Sequence, residues 1–154
     1  GGLSLQFAKH LGASPVITTC RRINIDYVKS LGADIAIAYD DEDFRDHIAD
    51  CDVVYDLVGG EVHSRSYEVL RPGGIMTWLI AEPIENHASK FSVIERQAVI
   101  DDDPAALREV LDLLGKGAIK PQVVKVMPLA QAAEAQAMLE AGQVSRGRIV
   151  LQVR

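Results

Sequence analysis

This sequence has no long apolar run and no pair of cysteines at a spacing that binds metal. No apolar stretch reaches the roughly 18 residues that a membrane-spanning helix requires, so we expect no membrane partner. The two cysteines, Cys20 and Cys51, lie outside any CxxC spacing, which predicts free thiols rather than a disulfide or a zinc site. Free thiols are typical of a reducing compartment, and we therefore expect a cytoplasmic protein without a bound metal.

An excess of positive charge is also missing. The chain has 16 lysine and arginine residues against 22 aspartate and glutamate residues, and no basic stripe crosses it. A nucleic acid is therefore not an expected partner, because nucleic-acid binding relies on clustered cations. Hydrophobic residues make up 48% of the 154 residues, which is the composition of one globular domain covering residues 1–154.

Amphipathic segments with helical periodicity alternate with short apolar segments along most of the chain. Helices are predicted at residues 3–13, 24–33, 41–49, 62–70, 103–117 and 129–142. Strands are predicted at residues 15–20, 34–39, 52–58, 75–80, 91–100, 123–129 and 147–153. Glycine is expected to end helices at Gly12, Gly32 and Gly142, and a turn is expected at Arg71–Gly74. This alternation predicts an α/β fold with a mainly parallel sheet that helices cover on both faces.

Sheets of this kind bind ligands where their strands end, near the point at which the strand order reverses. We therefore expect a binding site at the carboxyl ends of four predicted strands. The candidate residues at these positions are Thr19, Arg21, Arg22, Tyr39, Val58, Gly59, Leu79 and Ala81. Gly59 is followed by a second glycine, and such a pair lets a ligand approach the backbone closely.

Four separate blocks of the chain resemble one protein family. The blocks are GGLSLQFAKHLGA, SLGADIAIAYDDEDF, DVVYDLVGGEVHSRSYEVLRPGGIM and GAIKPQVVKVMPLAQAAEAQAMLEAGQVSRGRIVLQV. Together they resemble the nucleotide-binding half of the medium-chain dehydrogenase/reductases, in the zinc-independent branch of quinone oxidoreductases and enone reductases. The resemblance implies a Rossmann-like, doubly wound sheet with NADP as the cofactor. It also implies hydride transfer to a quinone or an α,β-unsaturated carbonyl compound, no catalytic acid or base in this domain, and a homodimer.

The first of these blocks departs from the family pattern. Family members read GGVGSLAVQLAKHLGA after a strand, whereas this chain reads GGLSLQFAKHLGA with no strand before it. Gly1 and Gly2 are cofactor-binding candidates because they stand directly before a helix. We expect the sheet to lack its first central strand. We also expect the chain to be the C-terminal part of a longer protein whose substrate domain lies upstream.

Two other functions fit parts of the sequence. YEVLRPGGIM is also typical of S-adenosylmethionine methyltransferases, but these proteins carry an acidic residue where this chain has Arg21 and Arg22. A non-catalytic nucleotide-binding module is the second alternative, because a fold does not by itself determine a function. Titration with a reduced nicotinamide and with S-adenosylmethionine tests the first alternative, and a turnover assay tests the second.

The four histidines are not expected to take part in catalysis. They stand in polar contexts, without a nucleophile or a metal ligand at a matching spacing, at positions His10, His47, His63 and His87. We therefore predict that all four are solvated surface side chains.

The residues that follow the first predicted strand indicate which cofactor the chain selects. In dinucleotide-binding sheets this position meets the adenosine ribose, where a carboxylate favours NAD and repels the extra phosphate of NADP. Residues 16–24 contain no carboxylate and offer Thr19, Arg21 and Arg22 instead. A guanidinium binds phosphate through paired, charge-assisted hydrogen bonds. The sequence therefore predicts selection of NADP(H), chiefly by Arg21.

Overall fold

The computed structural model describes residues 1–79, 84–100 and 103–154. These residues form two compact units. The first unit contains Gly1–Thr18, Ile23–Ala36 and Pro104–Arg154. The second contains Thr19–Arg22 and the described residues of Ile37–Asp103.

Helices and strands alternate along the described chain, as the sequence predicts. The α-helices are α1 (Gly2–His10), α2 (Ile25–Ser30), α3 (Gly60–Ser66), α4 (Ala88–Phe91), α5 (Pro104–Gly115) and α6 (Ala132–Glu140). The strands are β1 (Ile17–Cys20), β2 (Ile35–Ala38), β3 (Cys51–Asp56), β4 (Leu70–Trp78), β5 (Ile94–Gln97), β6 (Val123–Pro128) and β7 (Arg148–Gln152). Short 3₁₀ helices lie at Arg22–Asn24, Phe44–Asp46, Tyr67–Val69 and Leu129–Gln131. No helix in the described ranges is long and apolar enough to cross a membrane.

Glycines follow the ends of α1 and α2, as predicted. The Gly12 N–H donates to the Lys9 carbonyl at 3.0 Å, and the Ala13 N–H donates to the Ala8 carbonyl at 2.9 Å. These two hydrogen bonds form a Schellman motif, which satisfies the last carbonyl groups of α1. Gly32 follows α2 with the same pattern of hydrogen bonds.

Strand β1 pairs with β2. At their start, the Val16 carbonyl accepts the Asp34 N–H at 2.8 Å, and the Asp34 carboxylate accepts the Val16 N–H at 2.6 Å. This backbone hydrogen bond and the Lys9 ammonium lower the pKa of Asp34. At their end, in the second unit, the Cys20 carbonyl accepts the Tyr39 N–H at 3.0 Å. The pairing therefore places the residues that follow β1 next to the residues that follow β2.

The first unit also contains the parallel pair β6–β7, in which Val126 lies opposite Val150. Helix α1 is tied to the segment before this pair by Gln6, a buried side chain. Its Nε2 donates to the Lys120 carbonyl at 3.1 Å, and its Oε1 accepts the Lys120 N–H at 2.7 Å. A buried amide satisfied on both sides fixes this contact, because an unmade bond there would cost about 1–3 kcal/mol.

In the second unit, β4 lies between β3 and β5 and runs parallel to both. Residues 53–56 of β3 pair with residues 75–78 of β4, which pair on their other side with β5. One buried apolar cluster of this unit consists of Tyr67, Leu70, Met76 and Val93. Trp78 and Phe91 are partly buried and pack against it.

Met76 is fully buried on the central strand β4, with 0% of its surface exposed. We expect Met76→Ala to lower the free energy of unfolding by about 2–5 kcal/mol, because it removes apolar contacts and leaves a cavity. Urea unfolding followed by the fluorescence of Trp78, the only tryptophan of the chain, measures this change. The control is Val53→Ala, whose side chain is 54% exposed on β3. We expect the control to lose less than about 1 kcal/mol, and equal losses would contradict the core position of Met76.

The predicted α/β class with parallel strand pairs is confirmed, but the helix predicted at residues 41–49 is wrong. Only Phe44–Asp46 is helical there, as a 3₁₀ helix. The Asp43 carboxylate accepts the Arg45 N–H at 3.0 Å and forms ion pairs with Arg45 and Arg65. These hydrogen bonds hold the pKa of Asp43 well below its usual range. The hydrogen bond from the Arg45 N–H caps the start of this turn, and the ion pair with Arg65 ties Asp43 to α3, so the segment is held by a partner that is distant in the sequence.

Two further local predictions are wrong in extent. The strand predicted at residues 91–100 is limited to Ile94–Gln97, because Phe91 belongs to α4 and Ser92 has a left-handed φ of 56°. The turn predicted at Arg71–Gly74 lies inside β4. It bulges out of the ladder, since Cys51 pairs with residue 70 whereas Val53 pairs with residue 75.

Strands β1 and β3 belong to different sheets. In the doubly wound sheet predicted from the sequence, a further central strand separates these two. Direct pairing of β1 with β3 would contradict that prediction, and it does not occur in the described ranges. The missing central strand therefore stays a prediction.

Candidate functional site

Arg21 and Tyr39 lie together where β1 and β2 end. Both side chains are exposed, and the Arg21 Nε donates to the Tyr39 hydroxyl at 3.3 Å. Within the described part of the chain, no carboxylate lies within 4.0 Å of the Arg21 guanidinium. Thr19, two residues earlier, is also exposed. The Arg21 guanidinium thus has a neutral hydrogen-bond partner, and it can bind an anion without first breaking an ion pair.

Arg22 is also exposed, but its guanidinium is already paired with acidic side chains. Its guanidinium forms ion pairs with Asp41 and Glu42, the second at 3.3 Å. Its backbone N–H donates to the Asp40 carboxylate at 2.9 Å. The hydrogen bond from Arg22 to Asp41 raises the pKa of Arg22. Two adjacent arginines that look alike in the sequence therefore differ in the structure, and Arg21 is the one that can meet a phosphate without losing an acidic partner.

The end of β3 forms a tight turn around the buried carboxylate of Asp56. Its Oδ1 accepts the Val58 N–H at 2.8 Å and the Gly59 N–H at 3.1 Å. Gly59 has a φ of 84°, a conformation that a side chain would strain. The Leu79 N–H donates to the Asp56 carbonyl at 3.2 Å, which places the end of β4 beside this turn. The structure thus brings together Val58, Gly59 and Leu79, the residues that follow β3 and β4.

His63 lies in the same place, and its predicted solvated position is wrong. It is 1% exposed, and its Nδ1 lies 2.8 Å from the Asp56 Oδ2. Its Nε2 lies 3.2 Å from the Tyr67 hydroxyl. Residues 63 and 67 stand four positions apart in a helical segment, a spacing that puts two side chains on one face. This spacing, together with the preceding Asp56, was the sequence signal for a buried network.

Tyr67 extends this network to β5. Its side chain is 0% exposed, and its hydroxyl donates to the Glu95 carboxylate. Burial and this hydrogen bond raise the pKa of Tyr67 well above its usual value, so the phenol stays protonated. Glu95 also accepts a hydrogen bond from the Asn86 amide. The chain of contacts from Asp56 to Glu95 therefore links the turn after β3 with the edge strand.

A cavity of about 300 Å³ opens beside α3 in the second unit. Its lining consists of Gly60, Glu61, His63, Ser64, Ile84 and Glu85. The two carboxylates disfavour an anionic group in this cavity, because like charges repel. Phosphate groups of a ligand are therefore better placed at Arg21 than in this cavity.

The remaining predicted residues are Gly1, Gly2 and Ala81. Gly1 and Gly2 lie in the first unit, as does a second cavity of about 380 Å³ lined by residues of α1 and by Lys120. A Cβ atom at Gly2 would meet the flexible end of the Gln122 side chain. Ala81 lies outside the described residues.

Comparison with known proteins shows the family to which the chain belongs. A family model described as zinc-binding dehydrogenase matches residues 31–151. The chain belongs to this zinc-binding dehydrogenase family. Its relatives confirm the resemblance to quinone and enone oxidoreductases that the sequence predicts.

Three relatives in the zinc-binding dehydrogenase family show how the length of this chain compares with theirs. It is 32% identical to the 2-methylene-furan-3-one reductase of Solanum lycopersicum, over 98% of this chain and 37% of that protein. It is 29% identical to the NADPH-dependent alkenal/one oxidoreductase, chloroplastic, of Arabidopsis thaliana, over 98% of this chain and 37% of that protein. The structure of the quinone oxidoreductase from Coxiella burnetii has a TM-score of 0.86 at 29% identity, covering 100% of this chain and 49% of that chain. The chain therefore spans less than half the length of these three relatives.

The zinc-binding dehydrogenase family is named for a bound metal, so we compared the described side chains with the ligands that zinc requires. The described residues of this member include no cluster of three or more His, Cys, Asp or Glu side chains that could hold a metal. Cys20 and Cys51 are free thiols, as predicted, and burial raises the pKa of both. A raised pKa disfavours the thiolate, which is the form that binds zinc. The described side chains therefore do not fit a zinc site.

Proposed function

We propose that this chain binds NADPH as the cofactor domain of an oxidoreductase that reduces a quinone or an α,β-unsaturated carbonyl compound. The observation that carries the proposal is the exposed Arg21 guanidinium at the end of β1, held by Tyr39 rather than by a carboxylate. The names of the relatives support the substrate class, since they are a 2-methylene-furan-3-one reductase, an alkenal/one oxidoreductase and a quinone oxidoreductase.

Each group of residues has a separate task in this proposal. NADPH, when bound, supplies the hydride. Arg21, with Thr19 beside it, binds the phosphate that distinguishes NADPH from NADH, and Tyr39 orients the guanidinium. The turn at Val58 and Gly59 offers the cofactor a backbone surface without a side chain at residue 59.

Calorimetric titration of the 154-residue chain tests this proposal. We expect NADPH to bind at least about tenfold more tightly than NADH, because one charge-assisted phosphate contact contributes that much affinity. We expect no heat of binding with S-adenosylmethionine. Binding of S-adenosylmethionine alone would favour a methyltransferase, and no binding of either nicotinamide would contradict the proposal.

We also propose that residues 1–154 form the nucleotide-binding domain of a longer protein, as in relatives more than twice this length. In this proposal the substrate contacts come from the additional domain. We expect the purified chain to bind NADPH without oxidising it in the presence of a small quinone, as measured by the absorbance of the reduced nicotinamide. Sustained oxidation above the rate without protein would contradict this prediction.

A homodimer through β5 is a further part of the proposal. This strand is the last in the order β3–β4–β5, and Ile94, Val99 and Ile100 are 45%, 85% and 77% exposed. Exposed apolar edges pair readily with another chain. We expect sedimentation to give a dimer mass that falls to the monomer mass on dilution, and Ile94→Lys to give a monomer. A monomer mass at every concentration would contradict this prediction.

The location in the cytoplasm stays a prediction. It rests on the two free thiols, Cys20 and Cys51, which are typical of a reducing compartment. A fluorescent fusion of the full-length protein would test it, since the alkenal/one oxidoreductase among the relatives is named chloroplastic.

A further inference from the structure

His63 has no task in the proposed function, although its position is one of the most constrained in the second unit. It is 1% exposed, and a polar group lies within 3.2 Å of each ring nitrogen, Asp56 at Nδ1 and Tyr67 at Nε2. Burying a polar ring costs free energy unless its hydrogen bonds are made. A leucine would fill the same space without this requirement. The hydrogen bond to Asp56 and the polar contact with Tyr67 therefore point to a task for the imidazole itself.

We propose that His63 is a positioning residue for cofactor binding. It orients the Asp56 carboxylate and thereby fixes the N–H groups of Val58 and Gly59. The inference rests on the proposed function, in which this turn contacts NADPH.

The two oxygens of Asp56 accept hydrogen bonds from different groups. Oδ1 accepts the N–H groups of Val58 and Gly59, at 2.8 and 3.1 Å. Oδ2 lies 2.8 Å from the His63 Nδ1 and also receives the Gly59 N–H at 3.2 Å. Nδ1 is the donor in this pair, because both oxygens of the Asp56 side chain accept hydrogen bonds. The His63 hydrogen bond thus prevents rotation of the carboxylate away from the turn.

Neighbouring side chains also fix the orientation of the imidazole ring. Its Nε2 lies 3.2 Å from the oxygen of the Tyr67 hydroxyl, whose single proton is donated to Glu95. The ring also makes edge contacts with Tyr67 and Trp78, each with 5.3 Å between ring centroids. Groups on β4 and β5 and at the end of α3 therefore hold the ring, so that Nδ1 has one direction in which to donate.

Two polar substitutions of His63 distinguish a role in orienting Asp56 from a role in filling space. The amide nitrogen of asparagine occupies the place of Nδ1, whereas the amide nitrogen of glutamine occupies the place of Nε2. His63→Asn therefore keeps a donor for Asp56, and His63→Gln loses it while keeping a partner for Tyr67. Both variants lose the aromatic ring, so each serves as the control for the other. Both are measured in the full 154-residue chain.

The readouts are the amide resonances of Val58 and Gly59, the affinity for NADPH, and the urea midpoint of unfolding. Hydrogen bonds to a carboxylate move amide protons to low field. We expect His63→Asn to keep these low-field resonances and to bind NADPH within about threefold of the unmodified chain. We expect His63→Gln to lose them and to bind about tenfold more weakly, the effect of one buried hydrogen bond. We expect similar urea midpoints in the two variants.

The outcomes distinguish this inference from the proposed function. If both variants change the two resonances equally, or neither does, His63 only fills space and the inference is overturned. If His63→Gln moves the resonances without any change in NADPH affinity, positioning of the turn is supported, and contact between the turn and the cofactor is refuted. If the unmodified chain does not bind NADPH, the proposed function fails, and the resonances still decide the positioning of the turn.

Discussion

We expect Arg21→Asp to weaken NADPH binding about a hundredfold or more while NADH binding changes less than about threefold. The substitution removes a charge-assisted hydrogen bond to phosphate and puts a negative charge in its place. NADH lacks this phosphate, and a carboxylate can accept hydrogen bonds from its ribose instead. Calorimetry with both cofactors measures the change. Equal weakening of both, or no change in either, would show that Arg21 does not select the cofactor.

A matched pair of neutral substitutions controls for the loss of positive charge. Arg21→Gln removes a guanidinium held by Tyr39, whereas Arg22→Gln removes one already paired with Asp41 and Glu42. We expect Arg21→Gln to weaken the binding of 2′,5′-ADP about 10- to 100-fold, and Arg22→Gln to weaken it less than about threefold. Equal effects would contradict the distinction between the two arginines. The effect at Arg21 should also shrink at high salt, because salt screens exposed charges.

Much of the fold follows from patterns that are local in the sequence. Gly12 and Gly32 end α1 and α2 because a glycine after the last helical turn accepts the conformation that the Schellman hydrogen bonds require. The β-branched residues at 17–19 form β1 because their side chains pack well on a sheet. The segment at 41–49 was mispredicted for the opposite reason. Its structure depends on Arg65, a partner 22 residues beyond Asp43.

The candidate site depends more strongly on contacts that are distant in the sequence. Arg21 and Arg22 are adjacent, and only the pairing of β1 with β2 decides that Arg22 meets Asp41 while Arg21 meets Tyr39. The polar neighbours of His63 in the sequence predict a surface residue. Its burial follows instead from the turn after Asp56 and from Glu95, which is 28 residues beyond Tyr67. The strand ends were therefore predictable as a location, whereas the network that shapes them was not.

Asp56→Ala should cause a large loss of stability in the second unit. The carboxylate is buried, with 4% of the residue exposed, and it satisfies the N–H groups of Val58 and Gly59 as well as the His63 ring. Removing one member of a buried polar pair leaves its partners without an acceptor, and we expect the free energy of unfolding to fall by about 3–5 kcal/mol. Urea unfolding is followed by Trp78 fluorescence, which is well placed because its ring lies 5.3 Å from that of His63.

Two comparisons make the Asp56→Ala result specific. Asp52→Ala removes another carboxylate from β3, but this one is 79% exposed and is paired with Arg71. We expect it to change stability little, because exposed ion pairs contribute little. Asp56→Asn keeps one oxygen for the turn but turns an amide towards His63, and its loss should lie between the two alanine variants. If Asp56→Ala and Asp52→Ala were equally stable, the turn after β3 would keep its shape without the carboxylate. The positioning of that turn by His63 would then have no physical basis.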